Sequence, residues 1–219
     1  VRTGEVLAMA SRPAYAPSEY ATATGEMKLN RPIGRIYEPG STFKPAVVAA
    51  ALNEGVVTPA MVFNCENGRW WYMGKVLRDY HPYPQLSVAD IIRKSSNIGA
   101  AKIALLLGEQ RVDRYLREFG IGRRLGIDLP GEESGILRPV QRWSKVDITR
   151  IAMGQSVSVT ALQMLGVIAA IANDGFLMKP YVIKRVVAKD GTVLHQGAPV
   201  VIARPINGET AAIMRRLLT

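Results

Sequence analysis

Residues 39–45 read Pro39-Gly40-Ser41-Thr42-Phe43-Lys44-Pro45, and an alanine-rich run, Ala46 to Asn53, follows before Gly55. A Pro-Gly pair breaks the chain, the alanine-rich run favours a helix, and Gly55 closes it. The spacing predicts a helix from Ser41 to about Asn53, with Pro45 in the first turn, where a missing amide hydrogen costs little. Pro45 also disfavours helical geometry at Lys44, which leaves the helix start open. Ser41 and Lys44, three residues apart, share one face of that turn. A serine hydroxyl is a weak nucleophile until a base takes its proton, and a lysine can be that base once a dry or cationic site lowers its pKa. At the positive end of the helix, negative charge developing on a substrate oxygen would be stabilised. Ser-x-x-Lys also arises by chance; the plain alternative is a capping serine followed one turn later by an exposed lysine.

The second chemical element is Ser95-Ser96-Asn97. Ser87-Val88-Ala89-Asp90 reads as a capping-box variant, Asp90 replacing Glu or Gln, that opens a short helix to Lys94. Ser95-Ser96-Asn97 is then a break before a helix from about Ile98 to Leu107. A Ser-x-Asn between two helices can relay a proton through its hydroxyl and hold a peptide group with its amide. A simple inter-helix turn with a cap is the alternative. Ser-x-x-Lys with Ser-x-Asn is a pairing found in penicillin-binding proteins and serine β-lactamases.

Around these elements, Val1 to Ala10 reads as a hairpin turning at Thr3-Gly4, and Arg12 to Tyr37 as loop. Val56 to Tyr80 is irregular, with Asn67-Gly68 as a turn between short strands. Glu109 to Phe119 is an amphipathic helix stopped by Gly120; Gly126 to Pro139 is loop, with Glu132 and Glu133 exposed in it. Thr160 caps an apolar helix that ends at Asn173-Asp174-Gly175. Tyr181 to Ala188 and Thr192 to Leu194 flank Asp190-Gly191 as a hairpin, and Glu209 to Leu218 forms a closing helix. Strands near both ends with helices between them predict a mixed sheet carrying a helical lobe.

Composition narrows the function classes. The net charge of +10 invites a nucleic-acid reading, but Lys and Arg form no run longer than two and no aromatic RNA-binding signature accompanies them, so a solvated basic surface is the expectation and nucleic acid is not an expected partner. Cys65 is the only cysteine, which rules out an internal disulfide and a cysteine metal cluster. The apolar stretch Val159 to Ala172 is interrupted by Thr160 and Gln163 and falls short of the ~20 residues of a membrane span. His81 precedes a proline and His195 sits in a hairpin strand, so a Ser-His-Asp triad is not expected. Trp70, Trp71 and Tyr72 fit either a site rim or a packed strand.

The sequence resembles the transpeptidase domain of class B penicillin-binding proteins, and most of all their cell-division-specific branch. The resemblance is carried by Arg2-Thr3-Gly4-Glu5-Val6-Leu7-Ala8-Met9, by Asn30-Arg31 leading to Glu38 through Pro45, by Lys94 through Gly99, by Leu129-Pro130-Gly131-Glu132, and by Met153 through Gln163. They follow the family's order and cover nearly the whole chain. The resemblance implies an α/β fold of α+β type, similar to that of the serine β-lactamases, with a helix-flanked sheet and an all-helical lobe.

It also implies that Ser41 attacks the penultimate D-alanine carbonyl of a peptidoglycan stem peptide, that Lys44 is the base, that Ser95 passes the proton to the leaving group, and that Asn97 holds the substrate amide. No cofactor or metal is implied. The implied partners are D-Ala-D-Ala stem peptides, β-lactam antibiotics and division proteins including a glycosyltransferase; the implied location is outside a cytoplasmic membrane that anchors the parent protein. The family's third element, Lys-Thr-Gly, does not occur among residues 1–219. They are therefore expected to be a partial transpeptidase domain, weak or inactive alone, since losing one oxyanion donor costs about 10²–10³ in rate. A β-lactamase-like hydrolase, a non-catalytic β-lactam-binding sensor and the elongation-specific sister branch remain as alternatives.

Overall fold

The computed structural model describes all of residues 1–219. In chain order it contains α1 (Gly25–Lys28), α2 (Arg31–Gly34), α3 (Lys44–Asn53), β1 (Val62–Asn64), β2 (Arg69–Tyr72), β3 (Lys75–Arg78), β4 (Gln85–Ser87), α4 (Val88–Lys94), α5 (Asn97–Leu107), α6 (Glu109–Glu118), α7 (Asp147–Ala152), α8 (Ala161–Ala172), β5 (Leu177–Met178), β6 (Arg185–Val187), β7 (Val193–Gln196), β8 (Val201–Ala203) and α9 (Gly208–Leu218). This is the expected mixed α/β class.

Helix α3 is the axis of the molecule. Every residue from Lys44 to Leu52 is buried, which explains why its sequence carries no polar stripe: a helix wrapped on all sides is apolar on all sides. Its alanines let α5, α6 and α9 pack against it. Helix α6 shows the opposite pattern, burying only Val112, Tyr115 and Leu116 on one stripe. Helix α8 starts with the capping box of Thr160 and Gln163. Gln163 also donates to the carbonyls of Gly120, Arg123 and Ser134 at 2.9–3.1 Å, tying three loop carbonyls to one buried amide.

The strands pair two by two, all antiparallel: β1 with β4, β2 with β3, β5 with β8, and β6 with β7. The Asp190-Gly191 hairpin is present as expected, though only Arg185–Val187 of the preceding stretch is strand. The amides of Val182 and Ile183 are taken instead by the Asp128 carboxylate, at 2.8 and 2.7 Å.

Four expectations are corrected. Arg12–Tyr37 is not loop throughout: the short helices α1 and α2 form within it, α1 opened by the Thr24 cap on the Met27 amide. Val1–Ala10 is not a hairpin: Glu5 forms a parallel bridge with Tyr181, the Val6 amide donating to Tyr181 O at 2.9 Å. Gly4 serves close approach, since a Cβ there would lie 2.2 Å from Lys179 O. Asn67-Gly68 does not join paired strands, because the β2–β3 hairpin turns at Met73-Gly74; Asn67 and Gly68, both at positive φ, redirect the chain between β1 and β2. Glu132 is 8% exposed, its carboxylate accepting the Leu125 and Gly126 amides at 2.7 and 3.0 Å. Glu133 is exposed, as expected. Helix α7 lacks a signal in the sequence because six residues are too few to establish a period.

Candidate active site

The chain enters α3 through a 3-10 turn, Gly40–Phe43, and becomes α-helical at Lys44, which has φ −52° and ψ −39° in spite of Pro45. Residues three apart in a 3-10 turn eclipse one another, the relation between Ser41 and Lys44. The backbone amide of Lys44 donates to Ser41 O. Ser41 is exposed, whereas Lys44 is 2% exposed. The two residues thus stand at a boundary between solvent and core, the hydroxyl outside and the amine inside.

Lys44 reaches from α3 to the turn between α4 and α5. Its Nζ donates to the Ser95 carbonyl, to Ser95 Oγ at 3.0 Å and to Asn97 Oδ1 at 2.8 Å. Ser95 caps α4 in the left-handed conformation, φ 57° and ψ 39°, an arrangement that costs an L-residue about 1–2 kcal/mol. That conformation reverses the chain within one residue, so the Ser95 carbonyl and hydroxyl both face Lys44. Ser96 caps α5 and accepts from the Gly99 amide at 2.9 Å. Asn97, the first residue of α5, donates through Nδ2 to Arg78 O at 2.8 Å, which fixes Oδ1 toward the lysine.

Burial lowers the Lys44 pKa from 10.5 to about 8, against the opposing pull of the Asp79 charge, which raises it. An amine with that pKa exists partly as the free base near neutrality, as a general base requires. Asp79 carries no motif and is missed by sequence reading. Its carboxylate accepts from the amides of Asn97 and Ile98 and from Ser96 Oγ, the last two at 3.0 and 2.6 Å. A carboxylate on the first amides of α5 meets the positive end of that helix. Asp79 therefore holds the Asn97 backbone amide while Arg78 O holds its side chain.

A second clamp holds the Ser41 turn. Gly40 N donates to Gly154 O at 3.0 Å, Tyr37 and Val159 exchange two backbone hydrogen bonds of 2.9 Å, and Glu38 Oε1 accepts from the Ser156 amide at 2.8 Å. Gly154, at φ +72°, lies so close to Gly40 that a Cβ would stand 2.1 Å from Gly40 O. The stretch from Met153 to Gln163 is thus the strap under the Ser41 turn.

Of the expected site residues, Lys44, Ser95 and Asn97 meet through direct hydrogen bonds, and Ser41 stands one 3-10 turn before Lys44, joined to it through the backbone. His81 stacks edge-on to Tyr80 and lies near Tyr83, and His195 pairs with Val186 in a surface hairpin. An apolar cavity of about 250 Å³ between Val6–Ala8 and α8 includes none of the four site residues.

The family model for the penicillin binding protein transpeptidase domain matches residues 1–219, and the chain belongs to that family. It is 35% identical over 219 residues to penicillin-binding protein PbpB of Mycolicibacterium smegmatis, covering 99% of this chain and 34% of that protein. It is 39% identical over 187 residues to peptidoglycan D,D-transpeptidase FtsI of Escherichia coli K12, covering 85% of this chain and 31% of that one. Among solved structures, penicillin-binding protein 3 of Mycobacterium tuberculosis complexed with aztreonam superposes with a TM-score of 0.91 at 33% identity, over 99% of this chain and 49% of that one. The apo transpeptidase domain of Burkholderia pseudomallei penicillin-binding protein 3 gives 0.83 at 30% identity, over 99% of this chain and 58% of that one. The chain spans about a third of the length of the two curated relatives named.

Proposed function

We propose that this chain carries the acylation machinery of a serine D,D-transpeptidase that cross-links peptidoglycan in septal wall synthesis. The observation that carries the proposal is the seating of the Lys44 amine, buried and tuned to about 8, among Ser95 Oγ, Ser95 O and Asn97 Oδ1 one turn after Ser41. Lys44 in its neutral form takes the Ser41 proton as Oγ attacks the carbonyl of the penultimate D-alanine. The proton passes through Ser95 Oγ to the departing nitrogen, the C–N bond breaks, and terminal D-alanine leaves as the free amine. An amine of a second stem peptide attacks the ester, Lys44 receives the incoming proton through the same relay, the ester C–O bond breaks, and Lys44 returns a proton to Ser41 Oγ as the cross-link forms. Asn97 retains one Nδ2 hydrogen beyond that given to Arg78 O, available to a substrate peptide carbonyl.

A β-lactam would acylate Ser41 by the same attack, but the opened ring keeps its leaving nitrogen tethered. The relatives' names, peptidoglycan D,D-transpeptidase among them, and the aztreonam complex of the M. tuberculosis protein support this substrate class. Division proteins including a glycosyltransferase are the proposed partners, and the outer side of the cytoplasmic membrane is the proposed location; no helix of the chain is long and apolar enough to cross a membrane. The test is intact-mass and peptide mapping of the full-length protein after reaction with a labelled penicillin. A stable adduct on Ser41 is expected, absent in Ser41→Ala. An adduct elsewhere, or rapid turnover of the drug, would refute the proposal.

A further inference from the structure

We infer that the hollow beside Asn97 is an anion subsite, formed by Lys75, Arg78 and Arg150, that selects stem peptides bearing a side-chain carboxylate; the inference rests on the transpeptidase reading above. The cavity measures about 280 Å³ and lies between β3 and the stretch Val146–Gln155, with Asn97 in its wall. Its volume suits one side chain better than a whole ligand. Lys75, Arg78 and Arg150 are the only charged residues lining it, and none of the lining residues is acidic. The polar remainder is Asn97, Thr149 and Gln155.

None of the three cations takes part in an ion pair, although nine such pairs form elsewhere in the chain. Three like charges around one hollow repel one another and attract an anion. Two of them, Lys75 and Arg78, sit on β3, paired with β2, and the neighbouring Asp79 is committed to α5. The position fits a substrate. Asn97 lines the cavity and accepts from Lys44 at 2.8 Å, so the hollow begins one side chain away from the base. A peptide whose scissile carbonyl lies at Ser41 and whose preceding amide meets Asn97 would present its next side chain to these cations. Arginine and lysine there would hold a carboxylate by charge-assisted hydrogen bonds.

The experiment uses the full-length protein and two peptides, N-acetyl-L-aminoadipyl-D-alanyl-D-alanine and its side-chain carboxamide. The readout is the concentration of each that halves the rate at which labelled penicillin acylates Ser41. The carboxylate peptide is expected to compete at about tenfold lower concentration in low salt, the advantage shrinking toward parity in 1 M salt. Arg150→Glu should reverse the preference, and the combined Lys75→Gln, Arg78→Gln, Arg150→Gln variant should abolish it. Equal competition by both peptides, competition by neither, or a preference indifferent to salt and to Arg150→Glu would overturn the subsite while leaving acylation of Ser41 standing. Absence of any Ser41 adduct would instead overturn the transpeptidase reading, and the subsite with it.

Discussion

Lys44 Nζ stands 2.8 Å from Asn97 Oδ1, joining the first residue of α3 to the first residue of α5. A charged lysine has three hydrogens to give, and Ser95 O, Ser95 Oγ and Asn97 Oδ1 take all three. The protonated amine is therefore fully engaged and can accept nothing. Losing one proton, at a pKa of about 8, frees a lone pair inside a polar cage that keeps it aimed.

Asp79 holds that cage in place and is expected to matter in two separable ways. Asp79→Asn removes a charge from the start of α5 and weakens its hydrogen bonds to Ser96, Asn97 and Ile98, at a cost of about 2 kcal/mol. In a chain of this length that lowers Tm by about 4–8 °C. Because the Asp79 charge raises the Lys44 pKa, its removal should also move the pH midpoint of acylation downward. A lower Tm with an unmoved midpoint would reduce Asp79 to scaffolding.

Gly154→Ala should injure the Ser41 turn. The added Cβ meets Gly40 O at 2.1 Å and Gly40 N at 2.6 Å, at a φ of +72°. A backbone clash combined with left-handed strain is expected to cost about 3 kcal/mol and to slow acylation by penicillin. Gly191→Ala is the control: its φ is +88° but nothing lies within 4 Å. There the cost should be about 1 kcal/mol with acylation unchanged.

Glu132→Ala strands the amides of Leu125 and Gly126. The expected loss is about 2–3 kcal/mol in denaturant unfolding, and less for Glu132→Gln, which keeps an acceptor. Loss below half a kilocalorie for the alanine variant would contradict the assigned role.

Lys44 should also leave a signature in stability against pH. Its folded pKa of about 8 lies below the ordinary value of 10.5, so the unfolded chain binds more protons between these limits and stability rises with pH across them. The gain is about 3 kcal/mol for a shift of this size. Unfolding free energies measured at pH 7.5 and 10.5 should show that rise relative to Lys44→Met, whose buried site has nothing to titrate. Parallel profiles would mean the amine is not desolvated as described.

Legibility from sequence followed the range of the interactions. Helices α3, α5, α6, α8 and α9 were readable because caps, periods and stop signals lie within a few residues of one another. Ser41, Lys44, Ser95 and Asn97 could be singled out as candidates because each pair sits inside one short motif. Asp79 was not, since its partners are on another element and no local pattern marks a carboxylate that will meet a helix start. The same holds for Glu132, whose acidic, Gly-flanked surroundings look solvent-facing until Leu125 and Gly126 fold back over it. The Thr3-Gly4 hairpin failed for a related reason: the backbone partner of Glu5 is Tyr181, far along the chain. Asn67-Gly68 did turn the chain, but toward a new strand pair and not between two partners.

The central claim is that Lys44, as the free amine, activates Ser41. The direct measurement is the pH dependence of the second-order rate of Ser41 acylation by a penicillin whose own charge is constant over the range. The account predicts a single rising limb with its midpoint near pH 8, moved down in Asp79→Asn and lost along with most of the rate in Lys44→Met. A midpoint near 6.5, the ordinary histidine value, or a rate that survives Lys44→Met, would contradict it.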